Sequence, residues 1–291
     1  MRNYILVIGI AFFFNSCEKE IPLDDQEKAP RIVINGIFSA NDTMRIHISE
    51  SRNILYEGEL PNITNADAKL LDANGNVIGT FLHEGDGYYV MTEVIPQVGS
   101  VYGITVAATG FTSVSASSYT PEVLSSVQID TLRTGETMKY EIIFQDDPNE
   151  INYYSLSLKK LYYYYDSWTG DTVLYEDNYF CTNEVIVQSG YSDVNGDICG
   201  MAMLFSDATF NGQNYSFSCS NYISVWEDTC RMVATLSSVS EDYYKYNVTL
   251  AKYEQTQGDP FAQPVQVYSN IENGFGIFGG YSSFSDTLII P

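Results

Sequence analysis

The chain has 291 residues and is strongly acidic, with 37 Asp and Glu against 14 Lys and Arg and a formal net charge of −23. Such a charge disfavours nucleic acid and anionic lipid head groups as partners, and it is typical of a well-solvated outer face. With 45% hydrophobic and 14% aromatic residues, the chain can fill more than one core, and its length predicts two domains.

The first residues have the features of a cleaved bacterial export signal. Arg2 is the single basic side chain, and Tyr4 to Phe14 form an apolar run of 11 residues. A helix that spans a bilayer needs about 20 apolar residues, so this run is too short to stay as an anchor. We therefore predict a lipoprotein signal peptide over residues 1–16.

Cys17 stands at the predicted cleavage junction, directly after the small residue Ser16. This arrangement resembles the lipobox of bacterial lipoproteins, whose cysteine sulfur becomes a thioether to diacylglycerol, although Phe14 and Asn15 depart from the commoner pattern. Each buried acyl CH₂ contributes about 0.8 kcal/mol, so several chains hold a domain at a membrane. We predict attachment to outer-membrane lipid through Cys17, with residues 17–30 as an acidic flexible tether. The alternative is an ordinary signal peptide that ends near a buried cysteine.

Residues 31–121 have the pattern of short strands joined by tight turns. The stretches "RIVINGIF" and "TMRIHISE" alternate apolar and polar residues, as half-buried strands do. "AKLLDANGNVIGTF" predicts a hairpin with Asn74 and Gly75 at its tip, and Gly85 and Gly87 predict a turn before another strand. About seven short strands in this region predict an immunoglobulin-like β-sandwich.

Residues 122–291 predict a second β-rich domain with one packed α-helix near residues 239–257. Ser238 and Glu241 fit a capping box, and the following "GDP" supplies a stop. One apolar stripe is formed by Val239, Tyr243, Tyr246, Leu250 and Tyr253. The expected fold class is therefore all-β, with one helix packed on the second sheet.

Four cysteines after Cys17 lie within 50 residues of one another: Cys181, Cys199, Cys219 and Cys230. In an exported chain an even number predicts disulfides, and four cysteines permit three connectivities. Two strands around a loop would set Cys219 opposite Cys230, which leaves Cys181 with Cys199. A zinc site is disfavoured, because neither C-x₂₋₄-C spacing nor a nearby histidine is present.

The stretch "YYYYDSWTGD" has the most unusual local composition. Tyr and Trp stack on sugar rings and dominate binding hot spots. In a strand, however, Tyr162 and Tyr164 can fill a core while Tyr163 and Tyr165 face outward. We take Tyr163, Tyr165 and Trp168 as a candidate ligand or partner surface, and ordinary packing of strand tyrosines is the favoured alternative.

The stretch "DVNGD" places Asp193, Asn195 and Asp197 at alternate positions, as calcium loops do. Ile198 and Leu204 occupy the positions where an EF-hand loop has glycine and glutamate. Turn formation is therefore the favoured role, and calcium binding is a weak candidate.

No residue pattern predicts catalysis. His47 and His83 are isolated, and "GFGIFG" lacks the βαβ unit that a dinucleotide site needs. We expect its Phe275, Ile277 and Phe278 to be core side chains instead. The acidic residues are too numerous for one pair to be chosen as glycosidase carboxylates. We therefore predict no enzyme activity, no cofactor and no metal requirement.

Three stretches carry a family resemblance: "CEKEIPL", "EDYYKY" and "GDPFAQPVQVYSNIENGFGIFGGYS". Together they resemble Bacteroidota outer-membrane lipoproteins of the domain of unknown function 4249 family, over essentially the whole mature chain. The resemblance implies an accessory role beside a TonB-dependent receptor. It implies no catalytic residues.

The expected function is a lipid-anchored accessory or binding protein of the outer membrane, associated with a TonB-dependent nutrient transporter. An independent surface protein that binds glycan or peptide is the second hypothesis. A hydrolase with an unidentified carboxylate pair is the third.

Overall fold

The computed structural model describes residues 29–52, 58, 61–124, 126–166, 170–193, 195–223, 230–257 and 261–290. The signal peptide over 1–16, Cys17, most of the tether and Trp168 lie outside the described residues, so the statements made about them stay predictions.

The described residues are mainly β-strand with one α-helix, which confirms the predicted fold class. The strands are β1 (Ile32–Ser39), β2 (Arg45–Glu50), β3 (Asp67–Leu71), β4 (Val77–Thr80), β5 (Leu82–Gly85), β6 (Tyr88–Val90), β7 (Val101–Ala107), β8 (Val114–Tyr119), β9 (Val127–Thr134), β10 (Thr137–Gln145), β11 (Tyr153–Asp166), β12 (Asp171–Asp177), β13 (Phe180–Thr182), β14 (Tyr191–Ser192), β15 (Ile198–Gly200), β16 (Met203–Ser206), β17 (Asn214–Tyr222), β18 (Cys230–Val239) and β19 (Phe275–Ile290). The helix α1 spans Glu241–Thr256. In this part of the chain no helix has the length and apolarity needed to cross a bilayer.

Three sheets form a sandwich-like arrangement. The largest has nine strands in the order β12-β11-β18-β19-β1-β2-β6-β5, with β16 also paired to β11. The second has the order β14-β15-β13-β17-β10-β9, and the third has the order β4-β3-β7-β8. The largest sheet therefore contains strands from both predicted domains. The immunoglobulin-like detail of the first domain stays a prediction.

The largest sheet contributes residues to two hydrophobic cores. The N-terminal core contains Ile34, Ile46 and Ile104 from the first strands of the chain, together with Phe278 from β19. The C-terminal core contains mainly residues after 137, and Ile290 at the end of β19 belongs to it. The single strand β19 thus contributes to both cores, although the sequence predicted two domains divided near residue 121.

The two ends of the described chain pair with each other. Strands β1 and β19 run parallel, from Val33 opposite Phe275 to Ser39 opposite Tyr281. Gly276 has a φ of +101°, and a side chain there would collide with the carbonyl oxygen of Ile34. The glycines of "GFGIFG" therefore permit close strand approach rather than phosphate binding.

The side chains between these glycines were expected to lie in the core. Ile277 and Phe278 are buried, but Phe275 is 45% exposed, so that expectation is wrong for Phe275. Phe275 is the first residue of β19, and the guanidinium carbon of Arg31 lies 5.3 Å from the centroid of its ring.

Helix α1 begins within the predicted range, but the predicted cap is wrong. The N-cap is Ser240, whose Oγ accepts a hydrogen bond from the amide of Tyr243 at 3.3 Å. Ser238 and Val239 belong instead to β18, which pairs with β11 as far as Val239. Because these residues are held in the sheet, the helix can begin only after them.

The tyrosines of α1 pack on the sheet only in part. The ring of Tyr244 lies 4.7 Å from that of Tyr153 in β11, and Tyr243 lies 6.0 Å from Tyr281 in β19. Val248 is the buried residue of the helix, whereas Tyr253 near its end is 41% exposed. The first half of the helix therefore covers the sheet more closely than the second half does.

Candidate functional site

Within the described residues, the tyrosine-rich strand β11 is longer than its pairing with β18. Residues 153–161 of β11 pair with β18, whereas residues 160–166 pair with β12. From residue 162 onward β11 and β12 pair only with each other within the described residues. We call residues 162–166 and 171–175 the tyrosine arm.

One face of the tyrosine arm exposes aromatic and aliphatic side chains. Tyr163 lies opposite Leu174, and Tyr165 lies opposite Thr172, so all four share this face. Tyr163 is 74% exposed, Tyr165 is 62% exposed and Leu174 is 53% exposed. The outward orientation predicted for the two tyrosines is confirmed.

The base of the arm is held by a buried lysine. Lys160 is only 3% exposed; its Nζ donates to the carbonyl of Tyr222 at 3.1 Å and lies 3.5 Å from a carboxylate oxygen of Asp177. The same Nζ lies 4.8 Å from the ring centroid of Tyr162, whose ring stacks on Tyr175 at 5.9 Å. These contacts anchor the opposite face of the arm and leave the Tyr163 face uncovered.

A groove of about 510 Å³ lies on the outer face of the six-stranded sheet. Its lining includes Asp130, Glu141 and Ser218, which are direct cross-strand neighbours on β9, β10 and β17. Lys139 supplies a cation in the next row, and Thr182 donates to the carbonyl of Ser218 at 2.6 Å. The groove thus offers hydroxyl, carboxylate and ammonium groups to a polar ligand.

One of the two predicted disulfides borders this groove. Cys181 and Cys199 are cross-strand neighbours on β13 and β15 and form an S–S bond. This bond confirms the predicted pairing of Cys181 with Cys199.

The second predicted pair, Cys219 with Cys230, is wrong, because no disulfide joins them. They lie on β17 and β18, which belong to different sheets rather than to one hairpin. Both side chains are buried in the C-terminal core. Burial raises the pKa of the Cys219 thiol, which keeps it protonated and poorly nucleophilic.

Two fully buried aspartates lie at the edge of the C-terminal core. Asp146 accepts hydrogen bonds from the hydroxyl of Tyr154 and from the amide of Gly212, the latter at 2.7 Å. Asp207 accepts from the amide of Asn152 at 2.9 Å through one oxygen, and its other oxygen has no hydrogen-bond partner among the described residues. Burial raises the pKa of Asp207, the Asn152 amide opposes the shift, and the charge of Asp146 adds to it.

The two aspartates were not found from the sequence, although a signal exists. Met138, Tyr140, Ile142 and Phe144 are the inward-facing residues of β10, and Asp146 continues their alternation. Asp207 continues the inward alternation of β16 in the same way, after Met203 and Phe205. An acidic residue that continues the buried face of a strand was therefore a usable clue.

The calcium candidate forms a hairpin turn. Asp193 accepts hydrogen bonds from the amides of Asn195 and Asp197 at 2.8 and 2.9 Å. The "DANGN" hairpin repeats this geometry, because Asp72 accepts from the amides of Asn74 and Asn76 at the same two distances. Within the described residues, no group of three or more His, Cys, Asp and Glu side chains is arranged to hold a metal ion.

Comparisons with solved structures give no information about function. A chain from the structure described as "Complete structure of manganese lipoxygenase of Gaeumannomyces graminis and partial structure of zonadhesin of Komagataella pastoris" is 9% identical, with 73% of this chain and 89% of that chain covered and a TM-score of 0.26. The three N-terminal domains of the Highly Immunogenic Outer Capsid protein of bacteriophage RB49 are 14% identical, with 72% of this chain and 63% of that chain covered and a TM-score of 0.23. TM-scores this low carry no argument about fold or function.

No curated protein matches the chain. A family model does match, over residues 18–287, which is nearly the whole length. The chain therefore belongs to the family described as domain of unknown function DUF4249.

Proposed function

We propose that this protein is a lipid-anchored, non-enzymatic outer-membrane binding protein, of the kind found in Bacteroidota. In this proposal it serves as an accessory to a TonB-dependent nutrient transporter. The observation that carries the proposal is the tyrosine arm, whose exposed Tyr163, Tyr165 and Leu174 form an apolar face on a solvated, acidic molecule. Exposed aromatic side chains of this kind are enriched at protein interfaces.

The register of the largest sheet sets the arm far from the start of β1. Val33, near the start of β1, lies level with Phe275. Arg231 pairs with both Leu161 and Ile289, so the arm begins level with the far end of β19. At about 3.3 Å per residue, the start of β1 and the tip of the arm are about 60 Å apart along the strands. A chain anchored through its N-terminus would therefore hold the arm away from the lipid.

The proposed mechanism is tethering. If Cys17 is acylated, residues 17–30 have a fully extended reach of about 50 Å. Confinement to the membrane raises the effective concentration of the arm near a receptor in the same membrane, so a weak contact is sufficient. The partner surface would then be an extramembrane part of the receptor.

Metabolic labelling with a fatty-acid analogue tests the anchor, with Cys17→Ser as the control. We expect label and outer-membrane fractionation for the natural chain and the loss of both for Cys17→Ser. An unlabelled natural chain would contradict the lipid anchor.

Purification from solubilised outer membranes tests the partner. We expect a barrel receptor to co-purify with the natural chain and to be lost when Tyr163 and Tyr165 are both replaced by alanine. Repeated purification without any receptor would contradict the accessory role.

A second candidate function is the binding of a glycan or peptide without a transporter. The groove on the six-stranded sheet favours it, because Asp130, Lys139 and Glu141 present hydrogen-bonding groups around a volume of about 510 Å³. In this case Lys139→Ala would abolish ligand binding in a glycan array or calorimetry experiment, while Tyr163→Ala would leave it unchanged. The opposite pattern would favour the arm.

A further inference from the structure

The groove on the outer face of the six-stranded sheet holds two carboxylates directly opposite each other. Asp130 of β9 pairs with Glu141 of β10, and both residues are exposed and line the groove. Asp130 accepts from the side-chain amide of Gln128 at 3.0 and 3.1 Å, and Glu141 accepts from the hydroxyl of Ser216 at 2.6 Å. Neither carboxylate forms an ion pair within the described part of the chain. Like charges directly opposite each other destabilise a strand pair, so a cation placed between them would be favourable.

A lysine stands beside this carboxylate pair. Lys139 lies two residues before Glu141 on the same face of β10, which is about 7 Å along the strand. It also lines the groove, yet it forms no ion pair with any carboxylate among the described residues. An ammonium group and two carboxylates therefore share one groove without forming an ion pair with one another.

The lobe that borders the groove adds a third carboxylate. Asp197 lines the groove and directly precedes β15, whose Cys199 is bonded to Cys181 of β13. The backbone amide of Asp197 donates to a carboxylate oxygen of Asp193 at 2.9 Å. Because the turn and the disulfide hold this lobe, little further ordering is needed when a ligand binds.

We propose that the groove binds a free basic amino acid, a compound with two cationic groups and one carboxylate. This inference rests on the second candidate function, binding in the groove, and specifies the class of ligand. The α-ammonium group would lie at Asp130 and Glu141, and the side-chain cation would lie at Asp197. The carboxylate of the ligand would lie at Lys139. The three negative charges and one positive charge of the groove thus meet two positive charges and one negative charge of the ligand.

Other ligand classes fit this groove less well. Among the described lining residues Tyr140 is the only aromatic one, and it is 1% exposed because it faces the C-terminal core. A neutral sugar would therefore find no exposed ring to stack on and would bring no charge to the groove. A diamine would satisfy the carboxylates but would bring a cation towards Lys139 without a carboxylate to match it.

The test is an NMR titration of the mature chain carrying Cys17→Ser with three small probes. Free lysine has both cationic groups and the carboxylate. Norleucine lacks only the side-chain ammonium group, and cadaverine lacks only the carboxylate. The amide shifts of β10 and β17 give a dissociation constant for each probe.

We expect lysine to bind at least tenfold more tightly than norleucine or cadaverine, because each of them loses one hydrogen bond between charged groups. In Lys139→Ala the advantage of lysine over cadaverine should disappear. In Asp197→Asn the advantage of lysine over norleucine should disappear. Each substitution thus removes the effect of one particular group of the ligand.

Two substitutions elsewhere serve as matched controls for net charge. Lys69→Ala and Asp86→Asn make the same changes in charge as Lys139→Ala and Asp197→Asn, at residues that do not line the groove. Both controls should leave the ratios of the three dissociation constants unchanged. The inference is overturned if lysine gives no saturable shift, if the three probes bind equally, or if Lys139→Ala weakens all three by the same factor.

The neutral trisaccharide maltotriose separates the class of ligand from the function of the groove. If maltotriose bound the natural chain but not Lys139→Ala, while lysine did not bind, the groove would remain a binding site and the inference would be overturned. Receptor co-purification is a separate readout, because it depends on Tyr163 and Tyr165. Its loss or retention leaves the inference about the groove unchanged.

Discussion

Both halves of β11 contain tyrosines, but in different environments. In the inner half, Tyr154 is 1% exposed, and the ring of Tyr153 on the opposite face lies 4.7 Å from that of Tyr244 in α1. In the outer half, Tyr163 and Tyr165 have the same alternation as Tyr153 but are 74% and 62% exposed. The inner half lies between a core and a helix, whereas Tyr163 and Tyr165 of the outer half face solvent.

This difference shows that tyrosine content alone does not identify a binding surface. Tyrosines fit a pleated strand whether or not a neighbouring element covers them. Tyr154 is buried, whereas Tyr163 and Tyr165 on the same strand are exposed. The exposure of the side chain, rather than the residue type, separates packing from a candidate binding surface.

The largest expected loss of stability follows from replacing the buried tyrosine in the inner half of β11. Tyr154→Ala should lower the free energy of unfolding by about 3–5 kcal/mol, because it removes a buried ring and leaves Asp146 without its hydroxyl donor. Urea denaturation measures the change. Tyr163→Ala is the matched control and should stay within about 0.5 kcal/mol of the natural chain. Equal losses in the two variants would contradict the comparison.

The second buried aspartate, Asp207, should make stability depend on pH. Because the pKa of Asp207 is raised in the native state, the native chain keeps a proton that the unfolded chain loses above a pKa of about 3.9. The free energy of unfolding should therefore fall as pH rises from that value through the native pKa.

Asp207→Asn should remove this contribution. Denaturation at several pH values between about 4 and 7 should show a smaller decline for the variant than for the natural chain. Parallel curves would mean that Asp207 does not keep its proton in the native state.

A smaller effect is expected where α1 begins over the inner half. Ser240→Ala should cost about 1–2 kcal/mol, because the Oγ accepts from the amides of Tyr243 and Gly280 at 3.3 and 3.2 Å. Ser238→Ala is the control at the position that the sequence favoured as the cap. Thermal unfolding should rank the Ser240 variant as the less stable, and the reverse order would contradict the assigned cap.

The smallest effect on stability is expected in the arm itself. The double variant Tyr163→Ala and Tyr165→Ala should unfold within about 0.5 kcal/mol of the natural chain, because both rings are exposed. Its receptor co-purification should nevertheless be lost. A folded variant that still retains the receptor would show that the arm is not the contact surface.

Local features were predicted well because neighbouring residues determine them. Asn74 and Gly75 form the tip of the β3–β4 hairpin, and Gly75 has the positive φ, +81°, that such a turn requires. The alternation of β11 gave the correct outward side for Tyr163 and Tyr165. The helix was found from its periodicity, but its cap was misplaced because the pairing of β18 with β11 includes the favoured Ser238 and extends one residue beyond it, to Val239.

The amino-acid sequence by itself determined which segments become strands, where the tight turns fall and which side of each strand is apolar, because these depend on contacts a few residues apart. Tertiary structure alone decided that β1 pairs with β19, that Cys219 and Cys230 face a shared core without a bond, and which tyrosines of β11 are covered. These features depend on pairings between residues far apart in the chain. Periodicity within one segment contains no information about which distant strand will lie beside it.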